Sequence, residues 1–554
     1  MIKKISLLGC AALFAATVHA QSSTSLNLIP LPAKCAVRAG EFTVNPQTKI
    51  VLGANTVQMQ HAVARLNEQL KLAAGFELAV VERGASENAL TCTLNPKLSG
   101  DEAYKLSVKK NGVQVEAKTP RGIFYAMQTI RQLLPAQIES RHQAVGVKWA
   151  IPCVEIEDAP RYSYRGLHLD VARHFMSKSE VMQYIDLLAY HKMNTFHWHL
   201  TEDQGWRLEI KKYPKLTEVG AYRNRTLKGA YVAPEKRQWD NTRYGGFYTQ
   251  DDVKEVLAYA EKRFVTVIPE IELPGHAVAA LTAYPQYSCT GGPFEVEGLW
   301  GVFNDIFCPK DETFAFLEDI LTEVAELFPS EYIHIGGDEA PKVRWSRCHA
   351  CQERIKKEGL KDEHELQSYF IARIEKFLAG KGKKIIGWDE ILEGGVTPSA
   401  TVMYWRTWAS SDAIVKAIRS GNNVIMTPNA YAYFDYYQAN PKTEPHTIGG
   451  YVPIWKVYSY EPTPAGLTAE EAKRVLGFQA NVWTEYMPNF GHVLYMAYPR
   501  AAAVAEVGWI PKEKRDYDSF QERLIQLMTR YDVMGIRYNR SFLSESRVEK
   551  KEEK

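Results

Sequence analysis

From Ser163 onward, short apolar runs take turns with amphipathic helical stretches, and this alternation constrains the fold of the chain more than any other feature. Candidate strands are Tyr164–Val171, Asn194–Leu200, Val265–Ile271, Tyr332–Gly337, Lys384–Trp388, Thr401–Trp405, Asn423–Thr427 and Gly477–Val482. Helical periodicity fills gaps between them at Ser179–His191, Thr249–Arg263, Thr313–Phe328, Glu363–Ala379 and Ser411–Ser420. Eight strands alternating with helices over about 350 residues predict an α/β fold, a (β/α)8 TIM barrel. An open doubly wound sheet would favour a Gly-rich phosphate loop after its first strand, and none follows here.

At 554 residues the chain is too long for one ordinary domain. Residues 26–158 read as a smaller α/β accessory domain preceding a barrel over 160–510, with 511–554 as a C-terminal helical extension and charged tail. In the accessory part, alternating runs at Tyr104–Val108 and Val113–Ala117 flank Asn111-Gly112, a hairpin signal. An amphipathic helix follows at Gly122–Leu134, ahead of Pro135. No cluster of chemically active residues stands out there, so a supporting role is expected.

The first 20 residues read as an address. Met1-Ile2-Lys3-Lys4 is basic, Ile5 to Val18 is mostly apolar, and Val18-His19-Ala20 is a small-x-small cleavage pattern. A secretory signal over 1–20 is expected, giving a periplasmic or secreted protein, with lipid anchoring at Cys10 the lesser alternative. No later stretch supplies the roughly 20 apolar residues of a membrane span. A net charge of +2 with both signs scattered argues against a nucleic-acid partner.

Seven cysteines follow the leader: Cys35, Cys92, Cys153, Cys289, Cys308, Cys348 and Cys351. A Cys289–Cys308 bridge is the expected pair, because it would staple a Gly-rich loop. Cys348-His349-Ala350-Cys351 is a lone CxxC without a second pair at zinc-ribbon spacing, so a local disulfide or free thiols are expected rather than metal.

Polar and aromatic residues crowd the C-terminal ends of the candidate strands: Arg173, His174, Asp203, Glu270, His276, Asp338, Glu339, Trp388, Asp389, Trp405, Trp483 and Glu485. In a barrel these ends converge on one mouth, where active sites sit. The sharpest segment is Tyr332-Ile333-His334-Ile335-Gly336-Gly337-Asp338-Glu339. Its glycines let the backbone bend and a ligand approach. Two adjacent carboxylates diverge toward different atoms of one substrate, and their mutual repulsion favours keeping one protonated as a general acid. Twelve tryptophans and 30 tyrosines suit stacking on sugar rings, although core packing is their commoner use.

His334-Ile335-Gly336-Gly337-Asp338-Glu339 resembles the H-x-G-G-D-E signature of glycoside hydrolase family 20, the β-N-acetylhexosaminidases. The resemblance continues through Tyr164–Phe175, Asn194–Arg207, Pro269–His276, Gly387–Glu390, Tyr404-Trp405, Tyr433–Tyr437 and Trp483–Glu485. It covers about Ser163 to Trp509, and the leading α/β unit fits that family's accessory domain. Glu202 and Phe434 depart from the pattern, at positions given no role.

The resemblance implies an exo-acting enzyme that removes terminal β-linked GlcNAc or GalNAc from a glycan with retention, without metal or other cofactor. Instead of the usual pair of flanking carboxylates, the substrate's acetamido oxygen attacks the anomeric carbon. By the same resemblance, Glu339 is the general acid/base, Asp338 stabilises the acetamido group, and Tyr433 bonds its carbonyl. Trp388, Trp405 and Trp483 wall the pocket and Trp455 closes it. Arg165, Asp435 and Glu485 grip sugar hydroxyls, while Asp203 and His276 support Glu339.

Two readings of other classes stand beside this one. His197 and His199, on one strand face, could join His276 and Asp338 in a metal-dependent barrel hydrolase. The chain could also be a catalytically inactive sugar-binding protein, against which Asp338, Glu339 and Tyr433 argue, since binding alone needs no acid.

Overall fold

The computed structural model describes residues 26–84, 87–409 and 411–543. The expected leader 1–20, Cys10 within it, and the charge run 547–554 lie outside the described residues.

The accessory domain is one mixed seven-stranded sheet. Its strands are β1 (Lys34–Thr43), β2 (Lys49–Leu52), β3 (Ala79–Val81), β4 (Ala89–Leu94), β5 (Tyr104–Lys109), β6 (Gly112–Ala117) and β7 (Ala150–Asp158), in the order β1-β7-β5-β6-β4-β2-β3. Helices α1 (Val57–Ala74) and α2 (Pro120–Leu133) pack on each other, and α2 lies against β5 and β6. The expected hairpin is β5–β6, but its turn is displaced by one residue. Lys109 pairs with Gly112, so Lys110 and Asn111 make the turn and Gly112 opens the second strand.

Eight parallel strands then close a barrel: β8 (Tyr164–Asp170), β9 (Thr195–His199), β10 (Thr266–Leu273), β11 (Tyr332–Gly336), β12 (Lys384–Trp388), β13 (Thr401–Tyr404), β14 (Asn423–Met426) and β15 (Val475–Ala480). The last pairs with the first, Phe478 against Arg165. Around the barrel run α3 (Lys178–Tyr190), α4 (Gln250–Glu261), α5 (Asp311–Leu327), α6 (His349–Glu358), α7 (Glu363–Gly380), α8 (Ser411–Ser420) and α9 (Arg500–Trp509). Reciprocal capping boxes fix where two of these begin, Ser177 with Glu180 before α3 and Thr249 with Asp252 before α4.

Period-two alternation divides the strand side chains between two cores. Ile385, Val402 and Val424 join the large apolar core that the helices share. Their neighbours Ile386, Met403 and Ile425 join Tyr164, Ile268 and Trp388 in a separate cluster inside the barrel. A final helix, α10 (Tyr517–Met534), ties the two domains together. Its Arg530 donates to the carbonyls of Gln132 and Leu134 at the C-terminal end of α2, and its Arg523 pairs with Glu506 of α9.

Candidate active site

The chain leaves β11 through a backbone that only glycine accommodates. Gly336 and Gly337 hold φ of 67° and 96°. A Cβ at Gly336 would collide with the Glu272 carboxylate, and one at Gly337 would stand 2.7 Å from Ile391 Cγ2. Asp338 and Glu339 follow at the barrel mouth. Glu339 has φ 44°, a left-handed conformation uncommon for a side chain-bearing residue and costly unless its surroundings hold it.

His276, on the loop after β10, is also left-handed, at φ 47°. Its Nδ1 stands 2.9 Å from Asp203 Oδ2 and 2.8 Å from Glu202 Oε1. Its Nε2 faces both carboxylates of the next loop, 3.6 Å from Asp338 Oδ2 and 3.5 Å from Glu339 Oε2. Burial opposes a charge on this ring. Glu202, Asp203 and Asp338 overcome that and hold its pKa well above the ordinary histidine value. Asp203 also accepts from the Val278 backbone at 3.0 Å, so it anchors the loop that carries His276.

These groups open onto a cavity of about 330 Å³, at the small end of ligand clefts. Arg173, Asp338, Glu339, Tyr433, Asp435 and Glu485 contribute its polar lining, with Trp405, Trp408 and Trp483 its aromatic walls. The Trp405 and Tyr433 rings lie nearly parallel, 15° apart at 5.8 Å, and Trp408 meets Trp405 edge-on at the rim. Several buried polar atoms here meet no protein group: Asp338 Oδ1, Asp435 Oδ1, Glu485 Oε2 and Trp483 Nε1. Buried polar atoms are ordinarily paired, so this concentration marks a surface made for a ligand rich in hydroxyl and amide groups.

Electrostatics divide the lining. Burial, then the nearby Asp435 and Tyr436, keeps the Tyr433 phenol protonated, its pKa well above the usual tyrosine value. Burial and the Glu485 charge push Asp435 well above the ordinary carboxylate range. Arg173 supplies the positive charge among them, held by Gln204 Oε1 at 3.0 Å, by Glu202, and by Asp170 at 3.4 Å.

Beneath the cavity, Glu270 of β10 gathers inward-facing groups from neighbouring strands. His199 Nδ1 and Trp388 Nε1 bond its carboxylate at 2.5 and 2.8 Å, and His197 Nε2 and His334 Nδ1 stand 3.0 and 2.8 Å from it. Burial disfavours charge on Glu270, but the surrounding His334, His199 and His197 hold its pKa well below the usual carboxylate value. His197 and His199 thus turn onto Glu270 while His276 turns onto Asp203. The four groups of a metal hydrolase do not converge.

Most of the residues expected from sequence meet at this mouth, with three exceptions. Arg165 is not in the cavity. It lies at the start of β8, five residues of roughly 3.3 Å rise from the mouth, and binds Glu102 and the Tyr162 carbonyl at 2.8 and 2.7 Å. Arg173, past the end of the same strand, occupies the cavity instead. Trp388 is buried below, joined to Glu270, and Trp455 sits in the short helix Ile454–Ser459 outside the lining, where Ile448, Gly449 and Gly450 stand. Glu202, a departure placed outside any role, touches both Arg173 and His276. Trp408 and Tyr436 went unassigned; a second tryptophan three residues after Trp405 was the available signal for the first. The Cys289–Cys308 bridge does not form, and all seven described cysteines are free thiols.

Known proteins share this architecture. The family profile described as "Glycosyl hydrolase family 20, catalytic domain" matches residues 162–512, and its "domain 2" matches 25–159. A beta-hexosaminidase of Porphyromonas gingivalis is 45% identical over 97% of this chain and 67% of its own length. A family 20 beta-N-acetylhexosaminidase from Streptomyces coelicolor superposes with a TM-score of 0.80 at 32% identity, covering 93% of this chain and 98% of that one. An exo beta-N-acetylglucosaminidase from Vibrio harveyi, solved with N-acetylglucosamine, gives 0.81 at 34% identity over 93% and 78%. With the catalytic profile spanning most of its length and the barrel, mouth and accessory sheet in place, the chain belongs to glycosyl hydrolase family 20.

Proposed function

We propose that this cavity removes terminal, non-reducing β-linked N-acetylhexosamine from glycans with retention, the substrate's acetamido oxygen acting as nucleophile. One observation carries the mechanism: Asp338 and Glu339 both face the same nitrogen, His276 Nε2, at 3.6 and 3.5 Å. Carboxylates on one side of a cavity do not flank a glycosidic bond as an enzyme nucleophile and acid must. Glu339, the more exposed of the two, reaches the glycosidic oxygen as acid and then activates water as base. Asp338, deeper, faces the acetamido nitrogen and offsets the positive charge of the oxazolinium ion.

The Tyr433 hydroxyl, kept protonated by its surroundings, donates to the acetamido oxygen and aims it at the anomeric carbon. Trp405 and Trp483 enclose the methyl group and ring. Arg173, Asp435 and Glu485 hold the hydroxyls, Arg173 through charge-assisted bonds. Asp203 and Glu202 fix the His276 ring, which in turn positions Glu339. The relatives named beta-hexosaminidase and the neighbour solved with N-acetylglucosamine support the substrate class.

Substrates with mono-, di- and trifluoroacetyl groups test the nucleophile, because fluorine weakens the carbonyl oxygen with little change in size. A steep fall in kcat/KM along the series is expected, each tenfold drop being about 1.4 kcal/mol of barrier. A flat series would overturn the mechanism. The leader-like start Met1–Ala20 supports export, and a mature chain beginning at Gln21 would be the product.

A further inference from the structure

Cys289 and Cys308, which do not form the expected bridge, gather with Cys348 and Cys351 at one point outside the cavity. Cys289 and Cys308 bracket the long loop that follows β10 and leads into α5. Cys348 and Cys351 lie at the N-terminus of α6, after β11. Cys351 Sγ is 3.6 Å from both Cys289 Sγ and Cys308 Sγ, and Cys308 Sγ is 3.7 Å from Cys348 Sγ. The four sulfurs lie within 4.8 Å of one another.

These separations fit one geometry. They are well beyond the roughly 2.05 Å of a disulfide. Four thiolates around a tetrahedral zinc ion, each at about 2.3 Å, define edges of about 3.8 Å. The CxxC reading from sequence looked for its second pair at zinc-ribbon spacing, whereas the fold delivers Cys289 and Cys308 from a different barrel loop. We propose that Cys289, Cys308, Cys348 and Cys351 bind one zinc ion as a closed four-thiolate structural centre. Soft thiolates in a tetrahedron suit this metal, and four protein ligands leave no open position for catalysis.

The surroundings are built for such a centre. Cys308 N–H donates to the Tyr287 carbonyl at 2.9 Å, which holds the two ends of the loop together. Trp345 Nε1 donates to the Phe307 carbonyl at 3.0 Å, which brings the β11 loop against it. Zinc with four thiolates carries two negative charges. Lys310, hydrogen-bonded to the Gln286 and Ser288 carbonyls, and the α6 N-terminus supply positive charge beside it. As each Zn–S bond forms, one thiol proton leaves, four in all, so binding strengthens as pH rises.

The centre joins the loop carrying His276 to the loop carrying Asp338 and Glu339. The two already meet at Gly275, where a Cβ would press to 3.0 Å from the Asp338 carbonyl oxygen. The metal therefore fixes the spacing of these loops without touching substrate.

The full chain, exported and purified without chelator, should carry about one zinc by elemental analysis. Its zinc absorption-edge spectrum should fit four sulfurs at about 2.3 Å. Titrating the folded protein with a mercurial should release the zinc to a colorimetric indicator, a readout that needs neither a variant nor activity. Cys348→Ser with Cys351→Ser should lose the metal and lower Tm. Protein free of metal, with a mass lower by the four hydrogens that two disulfides remove, would overturn the proposal. So would metal-free protein whose four thiols alkylate at once without unfolding, or iron in place of zinc. None of these outcomes depends on whether the cavity cleaves N-acetylhexosamine.

Discussion

His276 Nε2 stands 3.5 Å from Glu339 Oε2, and both residues hold left-handed backbone, at φ 47° and 44°. Two strained positions on neighbouring loops face each other across the site where the acid acts. Their strain persists because Asp203 anchors one loop and the Gly336-Gly337 turn sets the other. His276 therefore acts through Glu339, and Asp203 acts through His276. Asp203→Asn and His276→Ala should each lower kcat by about tenfold to a hundredfold, with smaller changes in KM, since small misplacements carry costs of that order. The double variant should lose little more than the worse single one, because the residues work as one unit. Additive losses, or losses confined to KM, would remove the positioning role.

The two arginines of the first barrel strand separate binding from folding. Arg173→Met should cost kcat/KM on the order of 10–100-fold, the worth of one or two charge-assisted bonds, and should also lower Tm, because it strips the buried Glu202 and Asp170 of their cation. Arg165→Met should lower Tm alone. It would leave the Tyr162 carbonyl unpartnered and Glu102 with only Arg121, Tyr125 and Asn194 at the domain junction, a loss of about 1–3 kcal/mol, with kcat/KM of the folded enzyme unchanged. Steady-state kinetics and thermal melts on both variants decide between them.

Glu339→Gln should nearly abolish hydrolysis of natural glycosides, whose leaving alcohol must be protonated. Aryl glycosides with acidic phenols should suffer far less, because their departure needs little help. Comparable losses for both substrate types would take Glu339 out of the acid role.

How far the sequence could be read follows from which signals are local. Each barrel strand shows as an apolar run, and its ends fall within about two residues of the observed β8 to β15, within the usual spread of such boundaries. Asp338-Glu339 was legible because two glycines and two carboxylates are consecutive. Arg165 and Arg173 are eight positions apart in one recognisable segment, and only strand direction tells which reaches the mouth. The rule that active sites sit at the C-terminal ends selects Arg173, and the resemblance was carried to the wrong arginine. The cysteine cluster was invisible for a different reason. Its two halves come from loops after β10 and β11, and only barrel closure sets their separation.

The last relationship concerns the crowding of carboxyl groups around the sugar site. Asp435 is buried beside Glu485, and burial first, then that neighbour, raises its pKa well above the usual aspartate value of about 3.9. A carboxyl with a raised folded pKa contributes stability below its unfolded pKa and loses that contribution as pH climbs through the folded value. As pH rises above the unfolded value, holding the Asp435 carboxyl buried beside Glu485 therefore weakens the fold. Asp435→Asn keeps the shape and removes the titration. It should leave Tm unchanged near pH 4 and raise it progressively toward pH 8, by roughly 1–2 °C for about 1 kcal/mol in a chain of this size. Activity should fall over the same range, since the neutral amide is a weaker partner for hydroxyl groups than a carboxylate. Melts of both proteins from pH 4 to 9 read the difference directly. A Tm gain that is constant with pH, or one that shrinks as pH rises, would show that the Asp435 charge is not what the fold pays for at this site.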